Sequence, residues 1–187
     1  TAVTTKLAAY SKDVVYEEGK SGKAVRLGDY GLKLDEENLG KEYTVSAWVQ
    51  PDGTLAENQN VLFLGYHNPE KWLAVSGKKT GTNTCKIWEN GNGYKWSTFW
   101  SPEIDTEGWH NITLSGKSGQ VTAYVDGIKL GTHDSNDPLD GENQGIYLGV
   151  TNWDAEFEGL VDEVNVYDIA LTEKEVQEQN KADYTQM

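Results

Sequence analysis

The 187-residue chain has one cysteine, Cys85, so it can form neither an intramolecular disulfide nor a zinc site of the CxxC type. Stability must come from a buried apolar core, and a chain of this length can build one as a single domain spanning residues 1–187. No stretch approaches the roughly 20 apolar residues that cross a bilayer, and the N-terminus lacks the charged, apolar and small-residue sections of a signal peptide. The sequence reads as an excised or processed module. Positive charge is scarce as well: 16 Lys and Arg stand against 30 Asp and Glu, for a net charge of −14. That balance argues against phosphate backbones and anionic membrane surfaces, which need clustered cations, and it suits a neutral glycan or a calcium ion. The nucleophile motif GxSxG does not occur, and the three histidines are scattered.

Tryptophan, by contrast, is abundant, with seven residues. Trp48 and Trp109 lie inside regular alternating runs and read as scaffold, whereas Trp72, Trp88, Trp96, Trp100 and Trp153 fall among turn residues, amides and charges. Indole presents a wide, rigid apolar face with one N–H donor, so a cluster left in water is costly unless a ligand stacks on it. Sugar rings, apolar on one face and hydroxylated around the edge, are the natural partner.

Period-2 alternation dominates the chain and predicts strands. Tyr43, Val45, Ala47 and Val49 share one face and Thr44, Ser46 and Trp48 the other; Ile112 and Leu114 oppose Asn111, Thr113 and Ser115. Val121, Ala123 and Val125 oppose Thr122 and Tyr124, and Ile146, Leu148 and Val150 oppose Tyr147 and Gly149. One aliphatic and one polar or aromatic face per strand is what two packed antiparallel sheets require. Turn residues bound nearly every run, and Asp126-Gly127 predicts a two-residue hairpin with a primed turn. At the C-terminus, Thr172 with Glu175 predicts a capping box, Leu171 and Val176 a staple, and a short helix to about residue 180.

Three stretches in order, YTVSAWVQPDG (43–53), GWHNITL (108–114) through YVDG (124–127), and FEGLVDEVNVY (157–167) with ALTE (170–173), resemble the concanavalin A-like, laminin-G-like jelly-roll family of bacterial carbohydrate-active enzymes. SGKAVRL at 21–27 is similar to that family's opening strand. The resemblance implies an all-β, two-sheet antiparallel sandwich with one short C-terminal helix. Because one fold hosts adhesins, binding modules and hydrolases, function must come from the site. The segment departing most from the family pattern is 66–100, where the aromatics gather.

In 71–76, Leu73 and Val75 are expected inward and Trp72 outward; in 85–89, Cys85 and Ile87 inward and Trp88 outward. In 94–100, Tyr94, Trp96, Thr98 and Trp100 group against Lys95, Ser97 and Phe99. The alternative is that some of these rings merely cover the second sheet. Asn152-Trp153-Asp154 places an amide and a carboxylate beside an indole, a set suited to paired hydroxyl recognition with stacking beneath, the alternative being an Asx turn with Trp153 packed inward. Tyr66, His67, Asn68 and Lys95 are weaker candidates that adjoin the aromatic segment. Asp162 alternates onto the face of Leu160, Val164 and Val166, where a carboxylate must be satisfied. Relatives of this fold carry a structural calcium near that strand, so the resemblance implies Asp162 as a metal ligand, with Glu17, Glu18 or Asp35 supplying further oxygens. Backbone N–H groups are the metal-free alternative.

Hydrolases of the fold share an E-x-D-x-(x)-E strand motif, which this chain lacks. The expectation is therefore a non-enzymatic carbohydrate-binding module of a secreted or surface-attached bacterial glycoside hydrolase, monomeric within a larger multidomain protein, with a terminal galactose-type residue favoured as ligand. The alternatives are a protein-binding adhesion domain and a binder of glucan or xylan chains.

Overall fold

A computed structural model describes the chain except residues 5–6, 8–9, 36–38, 54–58, 67–70, 77–83, 92–93, 96–98, 104–107, 152–155 and 186–187; at 76, 84–91, 94–95, 99–103 and 183–185 it describes the backbone. The strands, in chain order, are β1 (Ala2–Val3), β2 (Val15–Glu18), β3 (Lys23–Leu27), β4 (Gly31–Lys33), β5 (Glu42–Pro51), β6 (Asn60–Tyr66), β7 (Lys71–Ser76) and β8 (Thr84–Gly91). There follow β9 (Tyr94–Lys95), β10 (Phe99–Glu103), β11 (His110–Lys117), β12 (Gln120–Val125), β13 (Ile128–Asp134), β14 (Gly145–Leu148) and β15 (Gly159–Tyr167), then the helix α1 (Glu173–Thr185).

Two antiparallel sheets result. One runs β13-β12-β11-β5-β15-β3-β2; the other runs β1-β4-β14-β6-β7-β8-β10, with β9 paired to β8. The expected aliphatic faces meet between them, where Val45, Ala47, Ile112, Leu114, Val121 and Ala123 of the first sheet pack with Leu62, Leu64, Leu73, Val75, Ile146 and Leu148 of the second. The two-layer jelly-roll sandwich follows from that pattern: each sheet has one apolar face, and facing them together removes both from water.

Local signals act where expected. Asp126 (φ 51°) and Gly127 (φ 77°) form a primed two-residue turn that sets Val125 opposite Ile128. The Thr172 hydroxyl accepts the Glu175 N–H (3.3 Å) and donates to its carboxylate (2.9 Å), capping α1. The helix runs further than the expected residue 180, to Thr185. It lies over the outer face of the seven-stranded sheet with Val176 buried, and the Asn180 amide donates to Asp126 O (3.2 Å).

Two phase errors in the simple alternation have identifiable causes. Val150 does not join Ile146 and Leu148 in the inter-sheet core but packs with Tyr147 on the other side of its sheet. Gly149, at φ 76°, breaks the strand between them. In β15 the register against β5 slips between Asp162 and Asn165, and Glu163 sits at φ 46°. Leu160 and Asp162 therefore do not share the face of Val164 and Val166: Val161, Val164 and Val166 belong to the inter-sheet core, while Asp162 pairs with Trp48. One bulged residue reset the period.

Candidate functional site

Three of the aromatic residues expected to form a ligand surface, Trp72, Trp88 and Trp100, hold positions on the outer face of the eight-stranded sheet, and register shows how. One cross-strand row runs Tyr147, Phe63, Ala74, Trp88. The row on one side of it runs Trp72, Asn90, Lys95, and on the other Ser76, Lys86, Trp100. Directly paired residues share a face, and alternate residues along a strand return to it after about 6.7 Å. Trp72, Trp88 and Trp100 are thus positions of one face, stepping across three neighbouring rows. Phe63 and Tyr147 belong to the same set. Phe63 escaped sequence reasoning because it lies in VLFLG, an unbroken apolar run with no alternation to assign its face.

Part of this face is closed. Trp72 occupies the expected face, opposite Leu73 and Val75, but it is 1% exposed, and the expectation that it offers its ring to solvent is corrected. Its ring lies 6.0 Å from Phe63 at 27°, and Phe63 meets Tyr147 edge-on at 5.8 Å. Val3, Ala74 and Val150 complete this second apolar cluster, with Leu7 packed against it. Three large rings on one sheet face bury each other and the small apolar residues around them, and Leu7, packed against the cluster, adds to the cover. The same burial holds the Tyr147 phenol above its ordinary value.

Lys95 differs from its expected grouping. Alternation does not run through 94–100, because β9 and β10 are separate strands. Lys95 pairs with Asn90 on the tryptophan side, whereas Phe99 pairs with Ile87, itself opposite core residue Val75. Tyr66, half-buried, pairs with Lys71, whose ammonium donates to Asp140 O (2.8 Å) and pins that end of the sheet to the loop before β14. By the same rule Tyr66 and Lys71 alternate with Leu64 and Leu73 of the inter-sheet core, so Tyr66 stands at that end of the sheet but not on the tryptophan face, a correction to its expected place; Lys95 stands toward the same end and Trp100 toward the other. Trp96, Asn152, Trp153 and Asp154, with His67 and Asn68, lie outside the described residues. The Gly149 N–H donates to Val61 O (3.0 Å), holding the residues just after β14 beside β6 at the end where Trp100 stands. Trp48 is fully buried as scaffold, with the Lys20 ammonium 4.2 Å over its ring, and Trp109 is half-buried.

Asp162 is 8% exposed, and both carboxylate oxygens accept backbone N–H groups, Oδ2 from Ser21 (3.0 Å) and Oδ1 from Glu163 (2.8 Å). It ties the β2–β3 loop to the β15 bulge, and a side chain at Gly19 would come within 2.5 Å of Oδ2. Of the residues expected to share a calcium with it, Glu17 is forked onto Arg26 (3.0 and 2.8 Å), which holds its carboxyl below the usual range, while Glu18 and Asp35 are exposed. Calcium takes six to eight oxygens. Among the described residues no three His, Cys, Asp or Glu side chains converge, and the partners the structure gives the Asp162 carboxylate are the two backbone N–H groups that anchor the loop. No helix among the described residues is long and apolar enough to cross a membrane.

Comparison with known proteins adds three observations. The model of the family described as the concanavalin A-like lectin/glucanases superfamily matches residues 26–177. Among solved structures, domain 4 of AbnA, a GH43 extracellular arabinanase from Geobacillus stearothermophilus solved with arabinotriose, is similar at 27% identity and a TM-score of 0.80, covering 95% of this chain and 86% of that one. At 16% identity the likeness extends, as fold alone, to the heptameric SAP-like pentraxin of Limulus polyphemus (TM-score 0.58; 79% of this chain, 73% of that one). A Trypanosoma rangeli sialidase is similar at the same identity (TM-score 0.69; 91% of this chain, 29% of that one). No curated protein sequence matches significantly.

Proposed function

The chain belongs to the concanavalin A-like lectin/glucanases superfamily, and we propose that it is a non-catalytic carbohydrate-binding module that holds a secreted bacterial glycoside hydrolase on its glycan. The observation that carries this reading is the likeness, over 95% of the chain, to an accessory-sized domain of an extracellular arabinanase solved with an oligosaccharide. The tryptophan rows agree with it. Trp88 and Trp100 hold positions of one face beyond the closed Phe63–Trp72 cluster, and three inter-strand spacings, about 14 Å, separate β10, which carries Trp100, from β6. Trp96 and Trp153 supply further stacking faces, and Asn152, Asp154 and Lys95 supply donors and acceptors for sugar hydroxyls. Trp72 contributes by backing that surface.

Sugar hydroxyls exchange water for protein hydrogen bonds nearly one for one, so net affinity comes mainly from stacking, about 1 kcal/mol per ring. A dissociation constant between about micromolar and millimolar follows, with avidity from neighbouring modules adding to it. For non-catalysis, the support is that the chain lacks the E-x-D-x-(x)-E strand motif and that four of its described carboxylates are engaged with other partners: Glu17 and Asp52 on Arg26, Asp126 on His110, Asp162 on backbone N–H groups. A loop-borne set of Asn152, Trp153 and Asp154 suits a chain end, such as a terminal galactose-type residue or a short arabinose chain, more than the interior of a long glucan.

The test is tryptophan fluorescence and calorimetry of the whole chain with arabinotriose, galactose-terminated oligosaccharides and xylan or β-glucan fragments. A saturable response to at least one is expected. Silence toward all of them would overturn the reading in favour of a protein-binding adhesion domain, and release of reducing ends from a polysaccharide would overturn its non-catalytic part.

A further inference from the structure

The outer face of the seven-stranded sheet, on the opposite side of the sandwich, carries a hollow of its own. Residues 169–172 approach α1 across β11 and β12, and three bonds fix them there. The Thr44 hydroxyl donates to Ile169 O (2.7 Å) and accepts the Leu171 N–H (2.9 Å), and the Ser115 hydroxyl donates to Leu171 O (2.8 Å). Between this strap and the sheet lies a space of about 340 Å³. Ser115, Thr122 and Thr132 form a single cross-strand row of hydroxyls along its floor. The Lys117–Gln120 pair stands on one side of that row and Tyr124 on the other, and Thr172 lines the strap.

We propose that this hollow is a second saccharide subsite, taking one neutral sugar ring independently of the tryptophan face. Its volume lies at the low end of ligand pockets, about 300–1,000 Å³, which suits one ring and not a chain. Its lining offers groups that both donate and accept, the hydroxyls of Thr122, Thr132 and Tyr124 and the amide of Gln120, while the Thr172 hydroxyl, whose proton is committed to Glu175, can only accept; such a set complements a polyol. Thr122 and Thr132 already bond each other (2.7 Å) in an exposed position, so each can turn one further donor or acceptor to a ligand without leaving a buried group unsatisfied. Lys117 is the single cation in the lining, against a domain charge of −14, which disfavours a phosphate or other anion there. The strap is bonded in place, so little ordering accompanies binding.

The experiment is amide NMR of the whole chain titrated with galactose, arabinose and glucose to about 50 mM, the range of single-ring affinities. Amides of Thr122, Tyr124, Thr132 and Thr172 are expected to shift saturably. Thr122→Val with Thr132→Val should weaken that response by about tenfold while the tryptophan response to arabinotriose stays within about twofold. Should the double variant misfold, Thr132→Val alone, at the less enclosed end of the row, serves in its place. Unmoved amides around the hollow, or shifts indifferent to the substitutions, would overturn the subsite. Its failure leaves the tryptophan response standing, whereas failure of the proposed function removes that response and leaves these shifts.

Discussion

Replacing Trp72 by alanine separates scaffold from binding surface more sharply than any other single change on the aromatic face. The ring is 1% exposed, stacked on Phe63 at 6.0 Å, and part of one buried cluster with Val3, Ala74, Tyr147 and Val150. Truncating a buried tryptophan costs about 3–5 kcal/mol through lost transfer energy and the cavity left behind. In a domain of this size each kcal/mol moves the melting temperature by about 2–4 °C, so Trp72→Ala should lower Tm by about 6–20 °C. Calorimetry or circular dichroism reads that shift. Well below the transition, where the variant is folded, arabinotriose affinity should stay within about twofold of wild type, because Trp72 touches no solvent from which a sugar could approach. An unmoved Tm with an affinity loss of about tenfold or more would refute the argument, and Trp72 would then be an open platform as its alternation first suggested.

Trp96→Ala and Trp153→Ala should each weaken saccharide binding by about fivefold, the equivalent of one stacking contact, with Tm nearly unchanged; if both unfold the protein, these rings are scaffold. Asp162→Asn places an amide among the Ser21 and Glu163 N–H donors and should cost about 1–3 kcal/mol in chemical denaturation. Wild-type Tm should be indifferent to about 1 mM calcium, and a calcium-dependent rise lost in the variant would show Asp162 to be a metal ligand after all. Burial raises the Tyr147 phenol above its ordinary 10.0, so its contribution is complete below that pH and is lost as pH rises through the folded value. Stability should therefore fall as pH rises above about 10, and Tyr147→Phe should flatten that fall if the sign is right.

The sandwich could be read in the chain because its strands obey a simple rule. Tyr43, Val45, Ala47 and Val49 could only be one face of a strand, and the faces of β11 and β12 repeat the statement, so two sheets with a shared interior follow. The Asp126-Gly127 turn and the Thr172 cap were legible for a different reason: each is settled by a few neighbouring residues and a backbone preference, with no distant partner needed. Reading failed at β15, where Glu163 in the left-handed region adds one residue and turns Asp162 from the expected apolar face to the side of Trp48. It failed in the same way at Gly149, which sends Val150 to the outer cluster. Neither bulge nor left-handed step leaves a mark in hydrophobic pattern.

The candidate site shows the same division. Periodicity determined that Trp72, Trp88 and Trp100 belong to one face of a sheet, because that follows from covalent geometry alone. Whether a ring on that face meets water was decided by residues remote in sequence: Val3, Tyr147, Val150 and Leu7 share the cluster of Phe63 and Trp72 from more than fifty residues away, and β9, breaking off from β10, carries Lys95 to the tryptophan side. Local pattern fixes which way a side chain points, since each residue's direction depends on its own backbone. What lies in that direction is a matter of long-range packing, and only the assembled sheets supply it.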